Sequence, residues 1–522
     1  MHRGVAQFGR ALGSGPRGRR FKSGRPDYES FLKGEEKTNQ KRIPLFEGLL
    51  SFLEKKRLPM HIPGHKGGKG APLPLKEFLG EAVFQIDLTE IAPLDHLLTP
   101  RGIIKEALDL ATEVFGADQT FFVVNGTTGC ILAMLLASVN EGEEIIISRA
   151  SHRSAIGGLI LSGAFPRYLP SRFSWECGFS FPNSPEEVID ALNKYPKAKG
   201  IFLTSPNYYG VAQNSDLIVK ICHDRGFPVL VDEAHGAHFI FHESFPLSAL
   251  KAGADLVAQS AHKTLSSFTQ SSLLHYKKGR IDPYRLRSAL LILQTTSPSY
   301  LLTVSLDASR WQMANYGREI FGKALELAEY ARTELNSIEG LRCLREEEIR
   351  QIGDFFLDPL KLTVNFKESG ISGREAERRL REKGIEVELS DPWNVLCLIS
   401  AGDSQESIDR LIQAFREIKK TNGEAKKGLK DLERVTLPGI PSQALTPREA
   451  FQAKHQLIPL RKAGGRISSE IIAPYPPGIP VLCPGEKIEE DVISYLEKVS
   501  QMGLMIHGLE DEGEEKWIRV VA

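Results

Sequence analysis

Cysteine is scarce and scattered. Six cysteines, at positions 130, 177, 222, 343, 397 and 483, form no CxxC pair in 522 residues. That excludes a zinc ribbon and a disulfide scaffold and fits a reducing, cytoplasmic setting. No apolar run approaches the roughly 18 residues of a membrane span. Net charge is absent, because 66 basic and 66 acidic side chains cancel, so the chain as a whole has no bulk attraction to nucleic acid or to an anionic membrane. An internal repeat is missing as well. At 41% hydrophobic and 25% charged residues, the composition excludes disordered, collagen-like and coiled-coil chains. A chain of this length buries a core without covalent staples.

The zero net charge conceals an asymmetry. Residues 1–42 hold eleven Lys/Arg against four Asp/Glu, and the remainder holds 55 against 62. The opening string MHRGVAQFGRALGSGPRGRRFKSGRPD is rich in Gly, Arg and Ser and has no apolar period, so it packs no core. It lacks the amphipathic face of a transit peptide. Residues 1–42 are read as a disordered or spurious extension ahead of the true start. The rival reading is a basic arm that touches nucleic acid.

From Ile43 the pattern is globular. PLFEGLLSFLEKK (44–56) has helical spacing. TFFVV (120–124), EIIIS (144–148), GIFLTSP (200–206), FPVLVDEAH (227–235) and DLVAQSAHK (255–263) are short apolar runs separated by helical stretches. Continuous apolar strands alternating with helices predict a parallel sheet covered on both faces. Beyond about residue 330, KLTVNF, the charged helix 373–384, IEVELS (385–390), NVLCLIS and the helix 404–418 form a β-α-β-β-α series. The expected units are 43–330, 331–425 and, after a charged linker, 435–522. The acidic stretch EDEGEE (510–515) reads as a solubilising tail.

Polar residues gather where these strands end, the side on which open α/β sheets bind ligands. Asp232 closes VLVDEAH. Lys263 follows a strand in QSAHKT. NGTTG (125–129) lies between a strand and a helix, and SHRS (151–154) follows another strand. Pyridoxal phosphate requires these parts. A lysine amine holds its aldehyde. A carboxylate keeps the pyridine nitrogen protonated. A helix start offers N–H donors and positive partial charge to the phosphate. Lys263, Asp232 and Thr127/Thr128 match these needs, and His152 offers a flat ring to stack. Ser260 and His262 could add phosphate donors. Taken singly, an Asp at a strand end is a cap or turn former, and a Lys after a strand is a solvated residue; the set as a whole is what points to a site.

HIPGHKGG, SAHKT, TTSPSY and PYPPGIP together identify the chain as a member of the bacterial pyridoxal-phosphate-dependent ornithine/lysine/arginine decarboxylases of fold type I. The resemblance covers about residues 43–510. It implies an α/β, aspartate-aminotransferase-like large domain with a mostly parallel sheet, a small α+β domain and a C-terminal α+β domain. It implies pyridoxal phosphate as cofactor and a basic L-amino acid as substrate; the charge balance, the short apolar runs and the lack of HExxH or His/Cys ligand spacing leave no nucleic-acid, membrane or metal partner expected. By the same resemblance Lys263 is the Schiff-base lysine, Asp232 pairs with the ring nitrogen, and His152 stacks on the ring. Thr127, Thr128, Ser260 and His262 bind phosphate. His235 lies where relatives place a ring-adjacent aromatic. Thr296 and Ser297 reach the neighbouring subunit's active site, which implies a homodimer or higher homo-oligomer with shared sites. Glu470 is expected near the cationic end of the substrate. The chain departs from the inducible members, whose amino-terminal wing domain has no counterpart in these residues, and is similar to the compact biosynthetic enzymes of polyamine biosynthesis.

Two other readings compete. An aminotransferase or aldolase-like enzyme of the same fold would use an arginine to hold the α-carboxylate, with Arg342 and Arg345 as candidates. VDEAH also matches a helicase box, but the P-loop that box works with is missing.

Overall fold

The computed structural model describes residues 39–420, 438–475, 479–502, 504–513 and 515–522. Most of the basic opening segment and the 419–434 linker therefore lie outside the described residues, as do Pro476–Gly478 of the PYPPGIP motif.

The central sheet has seven strands. In chain order they are β1 (Gln119–Val123), β2 (Glu144–Ser148), β3 (Phe165–Leu169), β4 (Ile201–Thr204), β5 (Val229–Asp232), β6 (Leu256–Gln259) and β7 (Ser272–Tyr276). Their spatial order is β1-β7-β6-β5-β4-β2-β3. Only β7 runs against its neighbours; β1 is antiparallel to β7, and so parallel to the rest. The carboxyl ends of six strands therefore open on one edge.

Both faces of this sheet are buried, which is why its strands read as unbroken apolar runs. Ile145 and Ile147 point into one cluster with the helix α1 (Gly126–Ser138). Ile146 points the opposite way, into a larger cluster with Leu203, Val229 and Val231. The helix Pro44–Glu54 predicted from the sequence is present, with Pro44 at its first turn and Leu45 and Leu49 buried.

The helix α2 (Tyr300–Asn336) crosses the boundary expected at residue 330. It leads into a four-stranded antiparallel sheet of β8 (Arg342–Cys343), β9 (Lys361–Asn365), β10 (Leu389–Ser390) and β11 (Asn394–Leu398), in the order β8-β9-β11-β10. The strand expected over 385–390 is thus only two residues long. The helix Gly373–Glu382 is held by Arg–Glu pairs such as Arg379–Glu375 and Arg381–Glu377, as its i,i+4 spacing predicts.

The C-terminal part contains a three-stranded sheet of β12 (His455–Pro459), β13 (Leu509–Glu512) and β14 (Glu515–Val521), ordered β12-β14-β13. The expected acidic tail is corrected here. Its residues build the β13–β14 hairpin, in which Asp511 pairs with Lys516. Ile518 and Val520 anchor that hairpin in the local core.

Candidate functional site

A cavity of about 480 Å³ opens at the carboxyl edge of the central sheet. Thr127, Thr128, His152, Asp232, His235, Ser260, His262 and Lys263 all line it. Eight of the residues singled out from sequence are therefore brought together.

Each is delivered by a strand end. Asn125 and Gly126 turn the chain from β1 into α1, and Gly126 takes the left-handed φ of +69° that this turn needs. The first turn of α1 then presents Thr127 and Thr128 to the cavity. The buried Thr127 hydroxyl lies 2.5 Å from Ser260 Oγ and 2.9 Å from Ser272 Oγ. Hydroxyls beside a helix start make an anion cradle. His152 caps the helix Arg153–Ser162, and its Nδ1 accepts the Ser154 backbone N–H at 3.2 Å. Nε2 therefore carries the ring proton. Enclosure by the cavity walls, then the charges of Lys263 and Arg153, lowers the His152 pKa, so the ring is neutral.

Asp232 and Lys263 follow adjacent strands. The Asp232 carboxylate is buried, and Oδ1 accepts the Ala234 N–H at 3.1 Å. Among the described residues no cation pairs with it within ion-pair distance. Burial raises its pKa, opposed by Lys263 and the Ala234 N–H. A buried carboxylate with one backbone partner has room for a charged N–H donor, which is what a protonated pyridine nitrogen offers. The Lys263 amine, lowered by burial against the pull of Asp232 and Glu388, stands 3.0 Å from His235 Nε2. The donor set therefore fits pyridoxal phosphate.

The remaining candidates lie elsewhere in this chain. Thr296 and Ser297 are exposed between the helix Pro283–Leu293 and α2 and do not line the cavity. Glu470 sits in the C-terminal part, 3.1 Å from Arg519 Nε. His262 lines the cavity, while its Nδ1 lies 2.8 Å from the Ser271 carbonyl. Arg342 pairs with Glu176 and Glu348, and Arg345 with Glu329, away from the cavity.

Sequence reasoning missed Ser151, Asn207, Tyr208, Gln270 and Ile479, which also line the cavity. Asn207 and Tyr208 follow β4 as Asp232 follows β5, so the strand-end rule extends to them. Lys361, at the start of β9, was also missed: its Nζ lies 3.0 Å from His235 Nδ1.

The sequence matches the family described as Orn/Lys/Arg decarboxylase, major domain, over residues 43–407, and its C-terminal domain over residues 430–516. It is 43% identical to the arginine decarboxylase of Halalkalibacterium halodurans, covering 91% of this chain and 97% of that protein. It is 44% identical to the arginine decarboxylase of Bacillus subtilis, covering 91% and 96%. The fold is similar to the crystal structure of the Francisella novicida lysine decarboxylase, with a TM-score of 0.82 and 24% identity over 93% of this chain and 82% of that one.

Proposed function

The chain belongs to the Orn/Lys/Arg decarboxylases, pyridoxal-phosphate carboxy-lyases of fold type I, and from that premise we propose that it converts L-arginine to agmatine and CO₂, with lysine to cadaverine as the second choice. One observation carries the site reading: a buried Asp232, with no ion-pair partner among the described residues, and the Lys263 amine end neighbouring strands around one cavity, beside a hydroxyl-lined helix start. The substrate reading is supported by the 43–44% identity to arginine decarboxylases over nine-tenths of the chain.

In this reading Thr127, Thr128 and Ser260 hold the phosphate at the start of α1. Lys263 Nζ would hold the cofactor through its aldehyde and would be left as a free amine once the substrate amine takes that place. Asp232 would keep a proton on the ring nitrogen, and the neutral ring of His152 would lie against the cofactor ring. When bound, pyridoxal phosphate supplies a conjugated sink for the electron pair released as CO₂ leaves. The freed Lys263 amine or His152 Nε2 then returns a proton to Cα.

The proposed assembly is a homodimer with shared sites. Leu58, Met60, Ile62, Leu73 and Phe78, close in sequence, are all more than half exposed, as is Ile292, apolar surface that a partner subunit would cover. Thr296 and Ser297 are exposed, and we assign them to the partner subunit's cavity. Glu470 is assigned to the cationic end of the substrate. Six buried free thiols support a cytoplasmic setting, where the product would enter polyamine biosynthesis.

The test is product analysis. Purified protein and pyridoxal phosphate are incubated with equal arginine, lysine and ornithine, and the products are read by mass spectrometry. Agmatine is expected. Cadaverine or putrescine as the main amine would overturn the arginine assignment, and keto acid without CO₂ release would replace decarboxylation by transamination.

A further inference from the structure

The His235 imidazole is held between two lysines. Lys361 Nζ lies 3.0 Å from Nδ1, and Lys263 Nζ lies 3.0 Å from Nε2. A neutral imidazole has one N–H and one lone pair. It can accept from one ammonium, and its N–H then needs a lone pair on the other nitrogen. When both contacts are hydrogen bonds, at most one of the two lysines carries a charge.

The role required of Lys263, and the carboxylate near Lys361, assign the charge to Lys361. Lys361 is buried at the start of β9, in the sheet of the smaller unit, and its stem passes directly over Gly210. A Cβ added at Gly210 would stand 2.6 Å from Lys361 Cγ, and its φ is +89°. Glycine there leaves the space that lets this lysine reach His235 at the large sheet's cavity. The fully buried Asp358, three residues earlier, balances a cation at Lys361. Its Oδ2 has no hydrogen-bond partner among the described residues, although His238 Nε2 is 3.2 Å away. Lys263, in contrast, must present an uncharged amine to attack an aldehyde.

We propose that Lys361 is a positioning residue acting through His235. Its ammonium donates to Nδ1, which fixes the tautomer. The Nε2–H then donates to the lone pair of Lys263 and holds that amine uncharged. The proposal rests on the reading of Lys263 as the cofactor lysine. Other charged or titratable groups face the cluster. Asp232 and Glu388 favour a charged Lys263, Glu388 and Asp358 favour a charged Lys361, and His152 and His238 face His235. Burial lowers both amines, Lys361 to about 8, and burial, with the Lys361 charge, keeps the imidazole neutral.

The full chain without added cofactor is labelled with trace acetic anhydride over a pH series, and acetylation is read at each lysine by peptide mass spectrometry. In the wild type the Lys263 midpoint is expected below that of exposed lysines such as Lys251. Equal midpoints overturn the proposal without any variant. In K361M the Lys263 midpoint is expected to rise by about one pH unit, a roughly tenfold loss of reactivity on the acid side. An unchanged midpoint overturns the proposal. H235F is expected to shift Lys263 in the same direction, and the double variant by less than the sum of the two shifts. Additive shifts mean that Lys361 acts without the imidazole, and overturn its positioning role. Separately, borohydride reduction of the wild-type holoenzyme should leave the pyridoxyl group on Lys263. A tag on another lysine overturns the cofactor-site reading itself, an outcome the midpoints do not mimic.

Discussion

Arg149 and Glu486, 337 positions apart, form a buried bidentate pair, with Nη1 2.5 Å from Oε1 and Nη2 2.9 Å from Oε2. The same guanidinium donates to the carbonyls of Pro480 and Val481. It thereby ties the loop that carries Ser151 and His152 to a C-terminal segment whose Ile479 lines the cavity. Removing one partner leaves an uncompensated buried charge, which costs about 3–5 kcal/mol. R149M or E486Q is therefore expected to lower the unfolding midpoint in guanidinium chloride and to weaken cofactor retention together. A midpoint equal to wild type would show that the pair does not hold this seam.

Asp232 has a different signature. Its replacement removes a buried charge, not a packing element, so D232A is expected to fold and to retain pyridoxal phosphate through the Thr127/Ser260 cradle. Loss of one preorganised electrostatic group costs on the order of 100-fold or more in kcat. Cofactor content and turnover are measured on the same sample. Near-normal turnover would remove Asp232 from the ring nitrogen.

These two sites differ in how far the sequence discloses them. Asp232, Lys263, Thr127 and His152 each sit at a strand end, and strand ends are legible because β1, β2, β5 and β6 are buried on both faces and read as apolar runs. Arg149 also follows a strand, yet its partner is 337 residues away, and nothing local announces the pair. Lys361 opens the apolar run KLTVNF and reads as an ordinary strand boundary. Its role depends on the packing of β9 against the Gly210 turn, which is a tertiary fact. The acidic stretch 510–515 was half legible: residues 510–513 are exposed, as their charge suggests, but Ile518 and Val520 just beyond supply the apolar face that makes the stretch a hairpin instead of a tail.

His275 provides a pH test of the core. It is fully buried on β7, with Nδ1 2.9 Å from Thr120 Oγ1 and Nε2 3.0 Å from Gln259 Oε1. Burial lowers its pKa to about 3. The unfolded chain therefore binds this proton more readily than the folded one. Between the ordinary histidine value and about 3, stability falls as pH falls, by about 1.4 kcal/mol per unit from this group. H275Q, which cannot take up that proton, is expected to be less stable than wild type at pH 8 but to lose less stability between pH 6 and pH 4. Parallel curves for the two proteins would exclude His275 as the source of the acid sensitivity.

Shared active sites make a sharper prediction than oligomer size does. Thr296 and Ser297 are exposed and outside their own chain's cavity, so their assignment requires that they complete the site of the partner subunit. K263A and the double variant T296A/S297A are each expected to be inactive. In a hybrid dimer of the two, one site lacks both contributions. The other keeps Lys263 from one subunit and Thr296 and Ser297 from its neighbour. Random re-association yields hybrids as half of all dimers, each with one working site of two, so activity should return to about a quarter of wild type. The measurement is agmatine release after the two variants are unfolded and refolded together, compared with each refolded alone. If each site were built within a single chain, mixing would restore nothing, and the outward-facing loop would have to be explained by surface packing instead.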